Sequence, residues 1–259
     1  MGRLRLFAKG NLDVKDSLHS FRLGDRVLWN GINEVVRTQF PDTIVHVRHE
    51  VWTRSDALLA SNGSIPPEIE ARGLSFGHYP AAAQFSQRVF EADGAAIILS
   101  IQPDIATPLL RHRRDGYFLH PSGWETWSPQ DRAWLHDNFE PSEPLDVAAS
   151  MDNLARIVAG IRRRSEVPIL IYNVSSVDPG DSIHCHQGLG DVFATRIRRF
   201  NLGLIELSQK TGISIIDVDS IVARGGADRL KLDPVHLTAE GYRLVAEEVV
   251  RVLDDHGCF

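Results

Sequence analysis

Leu232–Val250 reads LDPVHLTAEGYRLVAEEVV, and its reading decides the architecture of the whole chain. Asp233 and His236 stand three residues apart on a turn that leads straight into a helix, a spacing that lets the two side chains meet on one side. A carboxylate so placed holds the imidazole in one tautomer and stabilises its cation once a proton is taken up. Thr238 is the expected N-cap and Glu240 falls in the first turn, so a closing helix over Thr238–Asp254 follows.

Working back from that helix, five short apolar runs stand out: Leu4–Ala8, Thr43–Val47, Ala95–Ile101, Val167–Val174 and Ile213–Val218. Their apolar character is continuous rather than alternating, which predicts strands buried on both faces, as in a parallel sheet. Between them the spacing predicts helices over Val27–Phe40, Ala81–Glu91, Val147–Arg164 and Phe193–Lys210. Strand and helix alternate, so the expected class is a doubly wound α/β fold with a five-stranded parallel sheet in a single domain over residues 1–259. An insertion over residues 103–145, after the third strand, breaks the alternation. It is rich in Pro, charge and aromatics (Tyr117, Phe118, Trp124, Trp127, Trp134), which predicts an ordered lid or pocket wall with Trp124 as a substrate contact.

A net charge of −6 argues against nucleic acid or an anionic membrane as partner. Only two cysteines occur, Cys185 and Cys258, which is no disulfide framework and suggests a reducing compartment. The N-terminal MGRLRLFAKG lacks the apolar run of a secretory signal, and no stretch approaches a membrane span, so a cytoplasmic location is expected. No cofactor is expected, since no glycine-rich phosphate loop follows the first strand. His184-Cys185-His186 carries metal-ligand types, but no partner cluster accompanies it, and no metal site is assigned.

DPVHLTAEGYRLVA resembles the last motif of the SGNH (GDSL-type) hydrolases, and FNLGLIELSQKTGISIIDVDSIV resembles that family's penultimate helix and fifth strand. The resemblance implies a flavodoxin-like three-layer αβα sandwich. It also implies that Asp233 and His236 complete a Ser-His-Asp triad acting on an ester or acyl group of a small molecule or glycan. The nucleophile of such a site stands just past the first strand. Here Gly10-Asn11-Leu12 occupies that place, and Asp16-Ser17-Leu18 arrives after a short insertion. Two readings follow: Ser17 reaches His236 across a longer loop, with Asp16 beside the substrate, or Leu12 has replaced the nucleophile and the chain binds a carbohydrate or metabolite without serine chemistry. By the same resemblance the Gly77 amide is an oxyanion-hole donor, and Gln102 stands in for the third motif's asparagine.

Two other serines compete on spelling. Gly180-Asp181-Ser182-Ile183-His184 contains the family's signature triplet but follows the fourth strand, where His184 is expected at a pocket rim and Ser182 is not expected to attack. Gly73-Leu74-Ser75-Phe76-Gly77 matches a nucleophile elbow, yet an elbow needs a buried strand before it, and SIPPEIEAR with its two prolines is none.

Overall fold

The computed structural model describes residues 2–177 and 192–259. A five-stranded parallel sheet has the order β10-β9-β5-β1-β4, built from β1 (Gly2–Lys9), β4 (Thr43–Glu50), β5 (Ala96–Ser100), β9 (Ile169–Tyr172) and β10 (Ser214–Ile216). All five expected strands are present. Every residue of β5 and β9 is buried, as their unbroken apolar runs require, whereas β4 lies at the sheet edge and is only partly covered.

Pleating sends alternate residues into two separate cores. Leu6, Ala8, Ile98 and Tyr172 pack on one side with Val245 and Val249 of the last helix, α12 (Ala239–Asp255), and with α1 (Leu12–Leu18) and α2 (Asn33–Gln39). Phe7, Ile97, Leu99 and Ile171 pack on the other side against Leu154 and Ile157 of α8 (Val147–Arg162) and Phe200 and Leu204 of α9 (Phe193–Thr211). Helices on both faces of a parallel sheet give the expected flavodoxin-like three-layer sandwich. Among the described residues, no helix is long and apolar enough to cross a membrane.

Two expected helices do not form as such. Val27–Phe40 divides into β3 (Arg26–Trp29), paired with β2 (Phe21–Leu23) in a hairpin, and the shorter α2. The Asn30-Gly31 pair punctuates the run: Gly31 has φ +84°, and a Cβ there would lie 2.7 Å from the Leu18 carbonyl oxygen. Ala81–Glu91 likewise divides into α5 (Ala81–Gln84) and a 3₁₀ turn at Arg88–Glu91. The Ser86 hydroxyl between them accepts the Arg88 N–H, the kind of local bond that competes with helix.

The 103–145 insertion is ordered. It begins with α6 (Gln102–Ala106) and contains a three-stranded antiparallel sheet, order β7-β6-β8, with β6 (Leu110–His112), β7 (Phe118–Leu119) and β8 (Phe139–Pro141). Its helix α7 (Pro129–Asn138) is capped by Ser128, whose hydroxyl accepts the Asp131 N–H. Trp127, Trp134 and Phe139 form a third core with Ile69, Phe76 and Phe85, so the insertion is fastened to the chain before β5 rather than standing free.

Candidate active site

The strand ends at the C-terminal edge of a doubly wound sheet are where ligands bind, and the Asp233–His236 turn is held there by its own backbone. Leu232 N–H donates to the His236 carbonyl, and Thr238 N–H to the Leu230 carbonyl, closing the loop into a turn. Thr238 caps α12 through Gly241 N–H, as its sequence position predicts. Gly241 must be glycine, because a Cβ there would stand 2.6 Å from the Leu230 carbonyl oxygen.

On this turn His236 Nδ1–H donates to Asp233 Oδ2 at 2.7 Å, while Asp233 Oδ1 accepts the N–H groups of Val235 and His236, each at 2.8 Å. Burial opposes ionisation of Asp233, but the bond from His236 and the two amides outweigh it and hold the carboxyl below its ordinary value. With Nδ1 committed as donor, Nε2 of a neutral His236 carries a lone pair and is the atom able to take up a proton. The imidazole is 36% exposed and therefore reachable.

Past β1 the chain turns at Gly10 into α1, whose first residue is Leu12. Leu12 is 42% exposed, in the position where the resemblance puts a nucleophile. Asp13 bonds back to Asn11 N–H and accepts the Ser100 hydroxyl at the end of β5. Burial is the main influence on that carboxyl and pushes it above the usual carboxylate range. One turn on, Asp16 is 8% exposed. Burial raises it too, against the opposing pull of Lys15 and of His236 whenever that imidazole is protonated.

Ser17 is not brought to the dyad. It is 0% exposed, and its hydroxyl lies 3.0 Å from the Val14 carbonyl and 3.0 Å from the buried Tyr172 hydroxyl. The cause is helical phase. Each residue turns about 100°, so Leu12 and Asp16 share one face of α1 while Ser17 falls with Val14 and Leu18 on the face turned to the core. The expectation that Ser17 reaches His236 across a longer loop is not met in this arrangement.

Gly77 lies at φ +54° in a turn closed by Tyr79 N–H on the Phe76 carbonyl, beside Ser122 of the insertion. Gln102, the first residue of α6, gives its backbone N–H to the Ser100 hydroxyl. Its side chain shares a water-sized cavity with Asp13, Tyr172 and Val235, where its Oε1 is enclosed without a hydrogen-bond partner. Trp124 stands 43% exposed on a 3₁₀ turn of the insertion and makes no hydrogen bond to the dyad. Ser182, His184, Cys185 and His186 lie outside the described residues.

A larger cavity, of about 360 Å³, opens beside Leu12 and is lined also by Lys15, His49, Val51, His78 and Tyr79. None of these neighbours carries a motif. The signal available in the sequence was positional: His49 and Glu50 end the second sheet strand, and the sheet edge is where side chains converge. His49 Nε2–H donates to the Gly10 carbonyl at 2.9 Å, and burial pushes the imidazole down to about 4, so it is neutral at ordinary pH. Below it Lys9, buried at the end of β1, donates to Glu50 and to the Ala83 carbonyl, both at 3.1 Å.

A member of the lipolytic G-D-S-L family from Veillonella parvula superposes with a TM-score of 0.50 at 11% identity, over 96% of this chain and 98% of that one. The fold is that of the SGNH hydrolases. LAE5, an α/β hydrolase enzyme from the metagenome of Lake Arreo, matches this SGNH-like chain with a TM-score of 0.53 at 13% identity, covering 100% of it and 97% of its own length. Axe2, an acetylxylan esterase from Geobacillus stearothermophilus, matches with a TM-score of 0.53 at 11% identity, over 96% and 94% of the two chains. No protein-family model and no curated protein matches the chain.

Proposed function

We propose that this SGNH-like chain hydrolyses an ester or O-acyl group on a small molecule or sugar, with His236 as general base and Asp233 as the group that orients it. The observation that carries the reading is the 2.7 Å Nδ1–H bond to Asp233, which leaves Nε2 as the proton acceptor at the strand ends. The structural neighbours named as a lipolytic protein and an acetylxylan esterase support the substrate class by analogy of fold. Because the Ser17 hydroxyl is enclosed and bonded to Val14 and Tyr172, the attacking oxygen in this proposal is that of water.

In that mechanism water adds to the acyl carbonyl as Nε2 takes its proton, giving a tetrahedral oxyanion and an imidazolium held by Asp233. The Gly77 amide and the Gln102 side chain are the donors proposed for the oxyanion. Collapse of the intermediate breaks the bond to the alcohol oxygen, which takes the proton from Nε2 and leaves as the free alcohol beside the acid. The second reading, a protein that binds a metabolite or carbohydrate without hydrolysis, is favoured by one observation: Leu12 stands at the first helical position past β1 and carries no nucleophile.

The test pairs 4-nitrophenyl acetate hydrolysis with fluorophosphonate labelling, mapped by mass spectrometry, in the wild type, Ser17→Ala and His236→Ala. Hydrolysis that needs His236, survives Ser17→Ala and leaves Ser17 unlabelled supports the water mechanism. Labelling at Ser17 restores the serine triad, and a wild type inert toward a panel of acyl esters leaves the binding reading.

A further inference from the structure

The 360 Å³ cavity beside Leu12 is at the small end of ligand pockets, large enough for a single ring or short acyl chain with one polar group. Leu12, Val51, Pro80 and Ala83 give it apolar walls, and the Tyr79 ring adds a flat face. Its lining carries two formally charged side chains, Glu50 and Lys15. Glu50, the carboxylate on the lining, is engaged by Lys9 at 3.1 Å and by Arg88 at 3.6 Å. His49 is a neutral imidazole bonded to Gly10. Lys15 is exposed and forms no salt bridge among the described residues, and it shares the Leu12 face of α1 at a three-residue step. Asp13 on the same helix is turned away, hydrogen-bonded to Ser100 and lining the other, water-sized cavity.

We infer that this cavity is the specificity pocket, and that it takes a substrate moiety with a compact apolar body seated on Leu12 and an anionic group meeting Lys15. The inference rests on the proposed ester hydrolysis for the word substrate, but the pocket's preference is a binding property that stands apart from turnover. A leucine at the floor contributes contact area, and an ammonium at the rim contributes charge-assisted hydrogen bonds to a carboxylate.

Binding of phenylacetate, of its neutral isostere phenylacetamide and of acetate to the full chain, followed by ligand-observed NMR or calorimetry, tests both halves. Phenylacetate is expected to bind at least about tenfold tighter than either of the others. Lys15→Met, at an exposed position, should remove the advantage of phenylacetate over phenylacetamide. Leu12→Trp, also exposed, should fill the cavity and abolish binding of both aromatic probes, with circular dichroism and thermal melting showing each variant folded. Equal affinity for acid and amide in the wild type overturns the anionic half. Unchanged binding in Leu12→Trp, or no phenylacetate binding up to about 10 mM, overturns the pocket. Failure of the hydrolysis assay with phenylacetate binding intact removes the hydrolase reading alone, whereas hydrolysis with no such binding removes the pocket alone.

Discussion

Ser17→Ala separates two accounts of one residue, because the structure and the motif assign it opposite duties. In the structure its hydroxyl bridges the Val14 carbonyl and the Tyr172 hydroxyl at 3.0 Å each, with both residues 0% exposed. Removing the oxygen deletes hydrogen bonds contributing about 1 kcal/mol each and leaves the buried Tyr172 hydroxyl without its partner, a penalty of about 1–3 kcal/mol that overlaps with the first. The expected loss is about 2 kcal/mol, or roughly 4–8 °C in Tm for a chain of this size. Tyr172→Phe added to Ser17→Ala should cost less than the two single losses summed, by about 1 kcal/mol, since no orphaned hydroxyl remains. Urea unfolding followed by tryptophan fluorescence gives these values, and ester hydrolysis per folded molecule is read in parallel. Activity should stay within a few-fold of wild type. A drop of roughly 10³-fold or more at unchanged stability, the signature of a lost nucleophile, would refute the structural role.

His236→Ala and Asp233→Asn should each lower kcat for 4-nitrophenyl acetate by roughly 10²–10⁴-fold, the usual scale for a positioned base and its orienting carboxylate. Hydrolysis unchanged in both would remove the dyad from the chemistry. Leu12→Ser places a hydroxyl at the first helical position past β1 and should create fluorophosphonate labelling at residue 12 that the wild type lacks; an unlabelled Leu12→Ser would show that this position does not face the base. Asp104 supplies a pH test. Burial lifts its carboxyl to about 6, against donors from the Ser55 amide and the Ser55 and Ser150 hydroxyls, while the unfolded value is near 3.8. Between those two values the folded protein holds a proton the unfolded chain has released, so this group's contribution falls as pH rises from about 4 to about 6, by about 3 kcal/mol in all. Asp104→Asn should flatten that part of the stability profile, measured as the urea midpoint against pH. An identical slope in variant and wild type would show that Asp104 does not titrate there.

The sheet was legible because burial on both faces leaves short, unbroken, β-branched apolar runs that alternate with longer helical segments. Ile97-Ile98-Leu99 and Ile169-Leu170-Ile171 have no polar residue to place outward, and the structure buries all of them. The Asp233–His236 turn was legible because the helix after it carries its own start signal at Thr238. Reading failed where composition and backbone chemistry disagreed. VLWNGINEVV has apolar spacing suited to a helix, yet Asn30-Gly31 needs a positive φ in its middle. The insertion's strands are two or three residues long, too short for any period to show; its aromatics announced an ordered lid or pocket wall, and the third core they build was not read. Ser17 was misplaced for an instructive reason. Val14, Ser17 and Leu18 stand at i, i+3 and i+4, so the helical period alone puts this serine on the buried face, and the spelling of the motif obscured it.

Stability does not account for the dyad. His236 and Asp233 are 36% and 46% exposed, and pairs that wet contribute little, about 0–1 kcal/mol. The turn they sit on is closed by backbone bonds from Leu232 and Thr238, the Thr238 cap and the close approach at Gly241, none of which needs a charge on either side chain. Asp233 Oδ1 does accept two turn amides, but an asparagine side-chain oxygen is also an acceptor and keeps both bonds in weaker, neutral form. What an asparagine cannot do is accept the Nδ1–H as an anion and support a charged imidazole. Asp233→Asn should therefore leave the urea midpoint nearly unchanged while removing whatever proton transfer His236 performs. A large loss of stability in that variant would mean the pair serves the fold, and the case for chemistry at this edge of the sheet would lose its main support.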